Sequence, residues 1–541
     1  MLKNLNTQIR KKWRSHQKSL SLIRNTFKVE NYVSRFTQCL LQRLQKPVPV
    51  AKTLAQNAST GIYQHLILFN SYTIKRYMIS NYTKRILCLL LVSVFMAGNA
   101  TSQQYEPKWE SLDKRETPTW WTDAKFGIFI HWGPYSVPAY APVDEVEGVY
   151  DKYAEHYENR MIAKNELFMK HHNKHFGENF TYQDFAPMFK AEYFNPDKWA
   201  ELFQKSGAKY VVLTSKHHDG FSLWPSEQSP RWNSVEIGPH RDLAGELTEA
   251  VREKGLRMGF YYSLLEWSHP LYKKATINQW VDRHMIPQMK DLVTRYKPEV
   301  LFADGEWDYQ SDTLKSEQFL AWLYNESPVK ETVVANDRWG SETRSKHGDY
   351  YTTEYDLVHN TEGIGEAGAH PWEESRGIGT SYGYNRFENM DHYFTSKQLV
   401  DLLIEKVSNG GNLLLNIGPK ADGLIPVIMQ ERLLDMGEWL KVNGDAIYGT
   451  TAWDKRPQDM KKQGIYYTAK GNDLYVICTK WPEKPFTVNG VGKDGKVSML
   501  GTKAQVKSSV KNGKLTITPP ALNPGNAPGK HSWVFKVEKV K

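Results

Sequence analysis

The feature that most constrains this chain is a repeated change of pattern between residues 126 and 419. Short apolar runs at 126–131, 210–215, 258–263, 300–304, 332–336, 350–355 and 413–417 alternate with amphipathic helical stretches at 196–206, 243–254, 279–296, 316–325 and 397–408. Gly207, Gly255 and Gly410 follow three of those stretches, as glycine does at a helix C-terminus. A strand and a helix repeated about seven or eight times predict a parallel sheet closed on itself, an α/β fold of the (β/α)8, TIM-barrel type. After Gly449 the helical period disappears. Runs at 465–468, 474–479, 486–488, 497–500, 515–518 and 533–537 are short and separated by Gly, Asn, Asp and Pro. They predict a small antiparallel β-sandwich packed on the barrel. The expected division is a barrel over 103–450 and a β-sandwich over 451–541.

The first 102 residues differ from both. Residues 1–77 hold 14 Lys and Arg against one acid, Glu30, and Lys84 and Arg85 add two more cations. The net charge of +10 therefore becomes −5 from residue 103 onward. A mildly acidic body gives no reason to expect a nucleic-acid partner. Lys84-Arg85 precede an apolar run at 86–98, and small residues follow at Ala97, Ala100 and Ser102. That order of charge, apolar run and small residues predicts a signal peptide over 78–102, too short to remain as a membrane span. It makes 1–77 an upstream extension outside the working protein, and predicts export to the periplasm or beyond. Of three cysteines (Cys39, Cys88 and Cys478) only Cys478 lies past the expected cleavage. That excludes an intrachain disulfide and a cysteine metal cluster. The Gly-x-Gly-x-x-Gly matches at 363–368 and 490–495 lie outside any strand–turn–helix context, so no dinucleotide site is expected.

In a barrel of this type the chemistry sits at the carboxyl ends of the strands. Here those ends read His131-Trp132-Gly133, Lys216-His217-His218-Asp219-Gly220, Tyr261-Tyr262-Ser263, Asp304-Gly305-Glu306-Trp307, Asn336-Asp337-Arg338-Trp339-Gly340 and Thr352-Thr353-Glu354-Tyr355. One such end is explained by a helix cap or a hydrogen-bonded core histidine. Six converging on one mouth point to a site. Metal-assisted hydrolysis is disfavoured, because adjacent His217 and His218 on extended chain are expected to face opposite sides. Glycoside hydrolysis fits better: it needs two carboxylates, with His and Arg for hydroxyls and aromatics for the ring face.

The stretches Ala124–Gly133, Gly207–Gly220 and Asn409–Pro419, with Asn336–Gly340 and Arg376–Gly379, resemble the α-L-fucosidases of glycoside hydrolase family 29. The resemblance runs from about Tyr105 to Trp453. It implies that Asp304 is the nucleophile and Glu354 the acid/base of a retaining reaction, with carboxyl groups roughly 5–5.5 Å apart. It further implies that His131, His217, His218, Tyr261 and Arg338 hold fucose hydroxyls, that Glu155 is a polar contact and that Tyr382 lies near the C6 methyl. Two positions depart from the family pattern: His156 and Phe302 stand where Trp is common, and both are expected in the sugar pocket. The implied partner is a fucosylated glycan, and no metal or other cofactor is implied. Two alternatives stay open: a non-catalytic fucose-binding lectin, and a glycosidase for a related sugar such as α-L-galactose. Glu306, Glu373 and Glu374 are the substitutes if Glu354 is not the acid.

Overall fold

The computed structural model describes residues 104–355, 370–491 and 495–540. The expected extension, the signal peptide and the glycine motif at 363–368 lie outside the described residues. Eight parallel strands form one sheet: β1 Phe126–Ile130, β2 Tyr210–Lys216, β3 Arg257–Ser263, β4 Val300–Asp304, β5 Val334–Ala335, β6 Tyr351–Glu354, β7 Trp372–Gly377 and β8 Asn412–Ile417. Their order is β5-β4-β3-β2-β1-β8-β7-β6. Helices such as Pro196–Ser206, Leu243–Glu253 and Ser396–Ser408 cover the outside. Gly207 ends the first of these with φ 88°. The fold is the expected α/β barrel.

Strand alternation sorts the side chains into two cores. Ile128, Ile130, Val211, Leu213, Phe260, Leu301 and Leu415 pack outward against the helices. Phe129, Tyr210, Val212, Tyr261, Val300, Phe302 and Leu414 fill the interior. Gly127 is needed in that interior, because a Cβ there would lie 2.3 Å from the Tyr210 ring.

The sheet differs from the sequence expectation in four places. The seven expected strands omitted β7, whose sequence Trp-Glu-Glu-Ser-Arg-Gly shows no apolar run although Glu373 and Glu374 are fully buried. The carboxyl of Glu373 accepts from the Tyr210 hydroxyl, and that of Glu374 from the Thr353 hydroxyl. The strand expected at 332–336 shortens to Val334–Ala335, where the Asn336 side chain takes over the pairing with Ala303 N–H and C=O, at 3.0 and 2.8 Å. The helix expected at 279–296 passes through a π-helical turn at Val281–Met285 just before Pro287. Finally, β5 and β6 do not pair as a ladder. One backbone bond, from Asp349 N–H to the Ala335 carbonyl (2.9 Å), and two side-chain bonds join their segments: Ala335 N–H donates to Asp349 Oδ2 (2.8 Å) and Thr352 Oγ1 donates to Asp337 Oδ1 (2.7 Å).

The C-terminal strands form two antiparallel sheets. One has five strands (Val497–Met499, Trp533–Val537, Asp473–Cys478, Ile465–Lys470 and Thr451–Ala452) and the other three (Phe486–Asn489, Lys514–Thr518 and Lys507–Lys511). Their apolar faces join the barrel's outer core, and Trp439 donates from Nε1 to the Ser532 carbonyl at 2.9 Å. Among the described residues no helix is long and apolar enough to cross a membrane.

Candidate active site

A pocket of about 360 Å³ opens at the carboxyl ends of the strands. The same alternation that fills the interior brings His131, Tyr261, Phe302 and Asp304 to its floor and walls. Gly305, with φ 79°, reverses the chain directly after Asp304; a Cβ there would meet Leu265 at 2.9 Å. Tyr355 takes a left-handed φ of 50° and ends β6 at Glu354.

At the centre lies Arg338, almost fully buried. Its Nη1 donates to Asp304 Oδ1 at 2.7 Å, its Nη2 to Glu354 Oε2 at 3.2 Å, and its Nε to Thr352 Oγ1 at 3.0 Å. Asp304 Oδ2 accepts from the Tyr261 hydroxyl at 2.8 Å and lies 3.5 Å from His218 Nε2. Glu354 Oε1 accepts from the Tyr153 hydroxyl at 2.9 Å. Burial disfavours the charge on Asp304, yet the Arg338 guanidinium, with hydrogen bonds from Arg338 and Tyr261, holds its carboxyl well below the usual range.

The histidines are neutral acceptors. Asn416 donates its amide N–H to the Tyr382 carbonyl (2.7 Å), so its oxygen faces His131 Nδ1 at 2.7 Å. Nδ1 of His131 therefore carries the proton and Nε2 is left as an acceptor. Ser263 donates its hydroxyl to the Leu265 carbonyl (2.6 Å) and so accepts from His218 Nδ1 at 2.6 Å. Burial pushes His131 down to about 3 and His218 to about 4. His217 is also lowered by burial, and its Nδ1 has no hydrogen-bond partner.

All eleven residues nominated from sequence line this one pocket: His131, Glu155, His156, His217, His218, Tyr261, Phe302, Asp304, Arg338, Glu354 and Tyr382. One expectation fails. His217 and His218 do not face opposite sides, because β2 ends at Lys216 and the chain turns; their ring centroids lie 4.2 Å apart at the same wall. Glu306, Glu373 and Glu374 do not line the pocket. A possible metal-ligand cluster among the described residues, Glu266, His269 and His284, lies elsewhere, and Lys216 Nζ already sits 2.7 Å from Glu266.

The model of the α-L-fucosidase family matches residues 92–445. The chain belongs to the α-L-fucosidase family. The model of the α-L-fucosidase C-terminal domain matches residues 458–538. Tissue α-L-fucosidase of Rattus norvegicus is 41% identical over 466 residues, 84% of this chain and 97% of that protein. The α-L-fucosidase of Branchiostoma floridae is 43% identical over 463 residues, 84% of this chain and 99% of that one. The structure of Thermotoga maritima α-fucosidase in complex with a mechanism-based inhibitor is 40% identical, with a TM-score of 0.68, covering 80% of this chain and 100% of that chain. Its complex with fucose is 39% identical, with a TM-score of 0.67 over the same shares. The α-L-fucosidase is thus a glycoside hydrolase of family 29, a retaining family, that releases fucose.

Sequence reading passed over several residues of the fucosidase pocket, among them Phe129, Tyr153, Arg344 and Trp307. Tyr153, two residues before Glu155, was within reach of the motif that nominated Glu155. Arg344 sits in a stretch with no pattern of its own.

Proposed function

We propose that this α-L-fucosidase removes terminal α-L-fucose by double displacement, with Asp304 as the nucleophile and Glu354 as the acid/base. The observation that carries the assignment is Arg338, one guanidinium bonded to both carboxylates (2.7 and 3.2 Å) within the pocket. Asp304 attacks C1 while Glu354 gives a proton to the glycosidic oxygen, and the C1–O bond to the aglycone breaks. Glu354 then takes a proton from water, the oxygen of that water attacks C1, and the ester bond to Asp304 breaks. Two inversions retain the configuration.

His131 and His218 present Nε2 lone pairs to sugar hydroxyls, and His217 lines the same wall. Arg338 keeps N–H groups free to donate to those hydroxyls, while Tyr261, whose single O–H goes to Asp304, accepts. Glu155, fixed by the Gly383 N–H at 2.7 Å, is a further hydroxyl contact. Tyr382, stacked 4.8 Å from His131, faces the C6 methyl, with Phe302 beneath the ring and His156 at the rim. The protein is exported, a reading supported by the charged, apolar and small-residue order over 78–102.

Asp304→Ala should lower kcat on aryl fucosides by about 10³-fold or more, with the folded state intact by circular dichroism. Glu354→Ala should lose about 10²–10⁴-fold on natural linkages, far less on aryl fucosides with good leaving groups, and should regain turnover with azide. Full activity of the first variant, or wild-type behaviour of the second on both substrates, overturns the assignment.

A further inference from the structure

Beside the fucose pocket runs a second, larger space of about 810 Å³, against about 360 Å³ for the pocket itself. Its walls come from three loops: Asn159 and Ile162 after β1, Trp267, Tyr272 and Lys274 after β3, and Trp307, Asp308 and Tyr309 after β4. The two spaces share His156 and Trp307 as a common rim. Trp307 is a large aromatic side chain left 48% exposed at this rim, its face open to a ligand. Its ring lies 5.3 Å from His218, and the Trp267 ring lies 5.4 Å from His156 and 5.1 Å from His218. Tyr309 and Tyr272 continue the aromatic surface away from the rim, 5.6 Å apart and edge to face. Tyr272 donates to Asp308 at 3.1 Å, which fixes the far wall. Lys274 is exposed and makes no ion pair or hydrogen bond among the described residues.

The other surface groove near the mouth, bounded by Tyr355, Arg376, His392 and Phe394, shares no wall with the pocket. Among the described residues, a leaving group departing from C1 passes into this groove over His156 and Trp307. Aromatic faces in a row with polar groups at the edge match the chemistry of pyranose rings, which offer apolar C–H faces and hydroxyl rims.

We propose that this groove is the aglycone site and binds an oligosaccharide leaving group of at least two sugar units. Trp307 and Trp267 stack on the sugar bonded to fucose, and Tyr309 and Tyr272 on the next, with Asn159, Asp308 and Lys274 taking hydroxyls. This rests on the assignment of fucose to the adjoining pocket. The natural substrate is then a fucosylated oligosaccharide chain, and the aglycone contributes to rate as well as to affinity.

The test compares α-L-fucosyl fluoride, whose leaving group is one atom and cannot reach the groove, with whichever α1,2-, α1,3- or α1,6-fucosylated trisaccharide the enzyme cleaves fastest. Tyr309→Ala and Tyr272→Ala each remove a half-buried side chain that lines the groove and not the fucose pocket. Each should lower the ratio of kcat/KM for trisaccharide over fluoride about tenfold. A ratio within twofold of wild type in both variants, with the fluoride still turned over, overturns the groove assignment. Loss of fluoride turnover in the unmodified enzyme would instead overturn the pocket assignment on which it rests.

Discussion

Arg338 shows what a single side chain can organise: three of its nitrogens bind three residues on two strands, Asp304 on β4 and Thr352 and Glu354 on β6. Several further acids are buried in the molecule. Burial raises Glu155 and Glu306 to about 7, with Asp304's charge adding to the rise of Glu306, and raises Glu158 and Glu373 to about 8. Glu306 has no hydrogen bond to either oxygen, and its nearest cation, Arg344, is 3.6 Å away. A carboxyl whose folded value lies above its unfolded value, about 4.3, binds its proton more tightly when folded. Its contribution is complete below that value and is lost as pH rises through the folded value. The buried histidines act in the opposite sense, since the unfolded chain binds their protons more tightly, but their effect is over above about pH 6.5. Between about pH 6.5 and 8 the acids therefore act unopposed, and Tm should fall, by roughly 1 °C per kcal/mol of linkage for a body of this size. Glu306→Gln and Glu373→Gln should each flatten that slope in calorimetry; a Tm that stays level or rises over this range removes the argument. Such residues are hard to find from sequence. Asp304, His131 and Arg338 were legible because they end strands in a recognisable pattern, whereas Tyr153 and Arg344 reach the pocket from long loops.

The β5–β6 seam lacks ladder hydrogen bonds, and the side chains that join it also aim the site. Thr352 Oγ1 accepts from Arg338 and donates to Asp337, so one hydroxyl ties the guanidinium to the sheet. Thr352→Val keeps the shape and leaves two buried partners unsatisfied, at a cost of about 1–3 kcal/mol for each. We expect a lower denaturation midpoint and a kcat/KM reduced about tenfold on aryl fucosides; a variant equal to wild type in both would show that the seam does not position Arg338. Seven of the eight strands were legible because their outward faces are apolar. The eighth, β7, was not, because glutamates are buried on both its faces, Glu373 bonded to Tyr210 in the interior and Glu374 to Thr353 on the neighbouring strand, contacts no local pattern announces.

At the scale of the molecule, the barrel and the C-terminal sheets share one continuous apolar core. The pocket takes none of its lining from the C-terminal sheets, so their role is to cover the outer helices Ser396–Ser408 and Val427–Asn443. Removing 451–541 should expose Trp439 and its neighbours and yield an aggregating chain in size-exclusion chromatography. A soluble, active, monodisperse barrel would show that the cover is dispensable. The change of pattern after Gly449 made the switch from helices to short antiparallel strands legible; the shared core was not, since contacts between distant segments leave no trace in either one.

The Arg338 clamp also has a consequence over a full turnover. On the proposed roles, the resting pocket holds an ionised Asp304, a cationic Arg338 and a protonated Glu354. In the covalent intermediate Asp304 is a neutral ester and Glu354 has given up its proton. The sum over the three is zero in both states, and the anion has only moved from one arm of a guanidinium to the other. A buried site of this kind works at constant charge, so no counterion has to enter or leave between the two halves of the reaction.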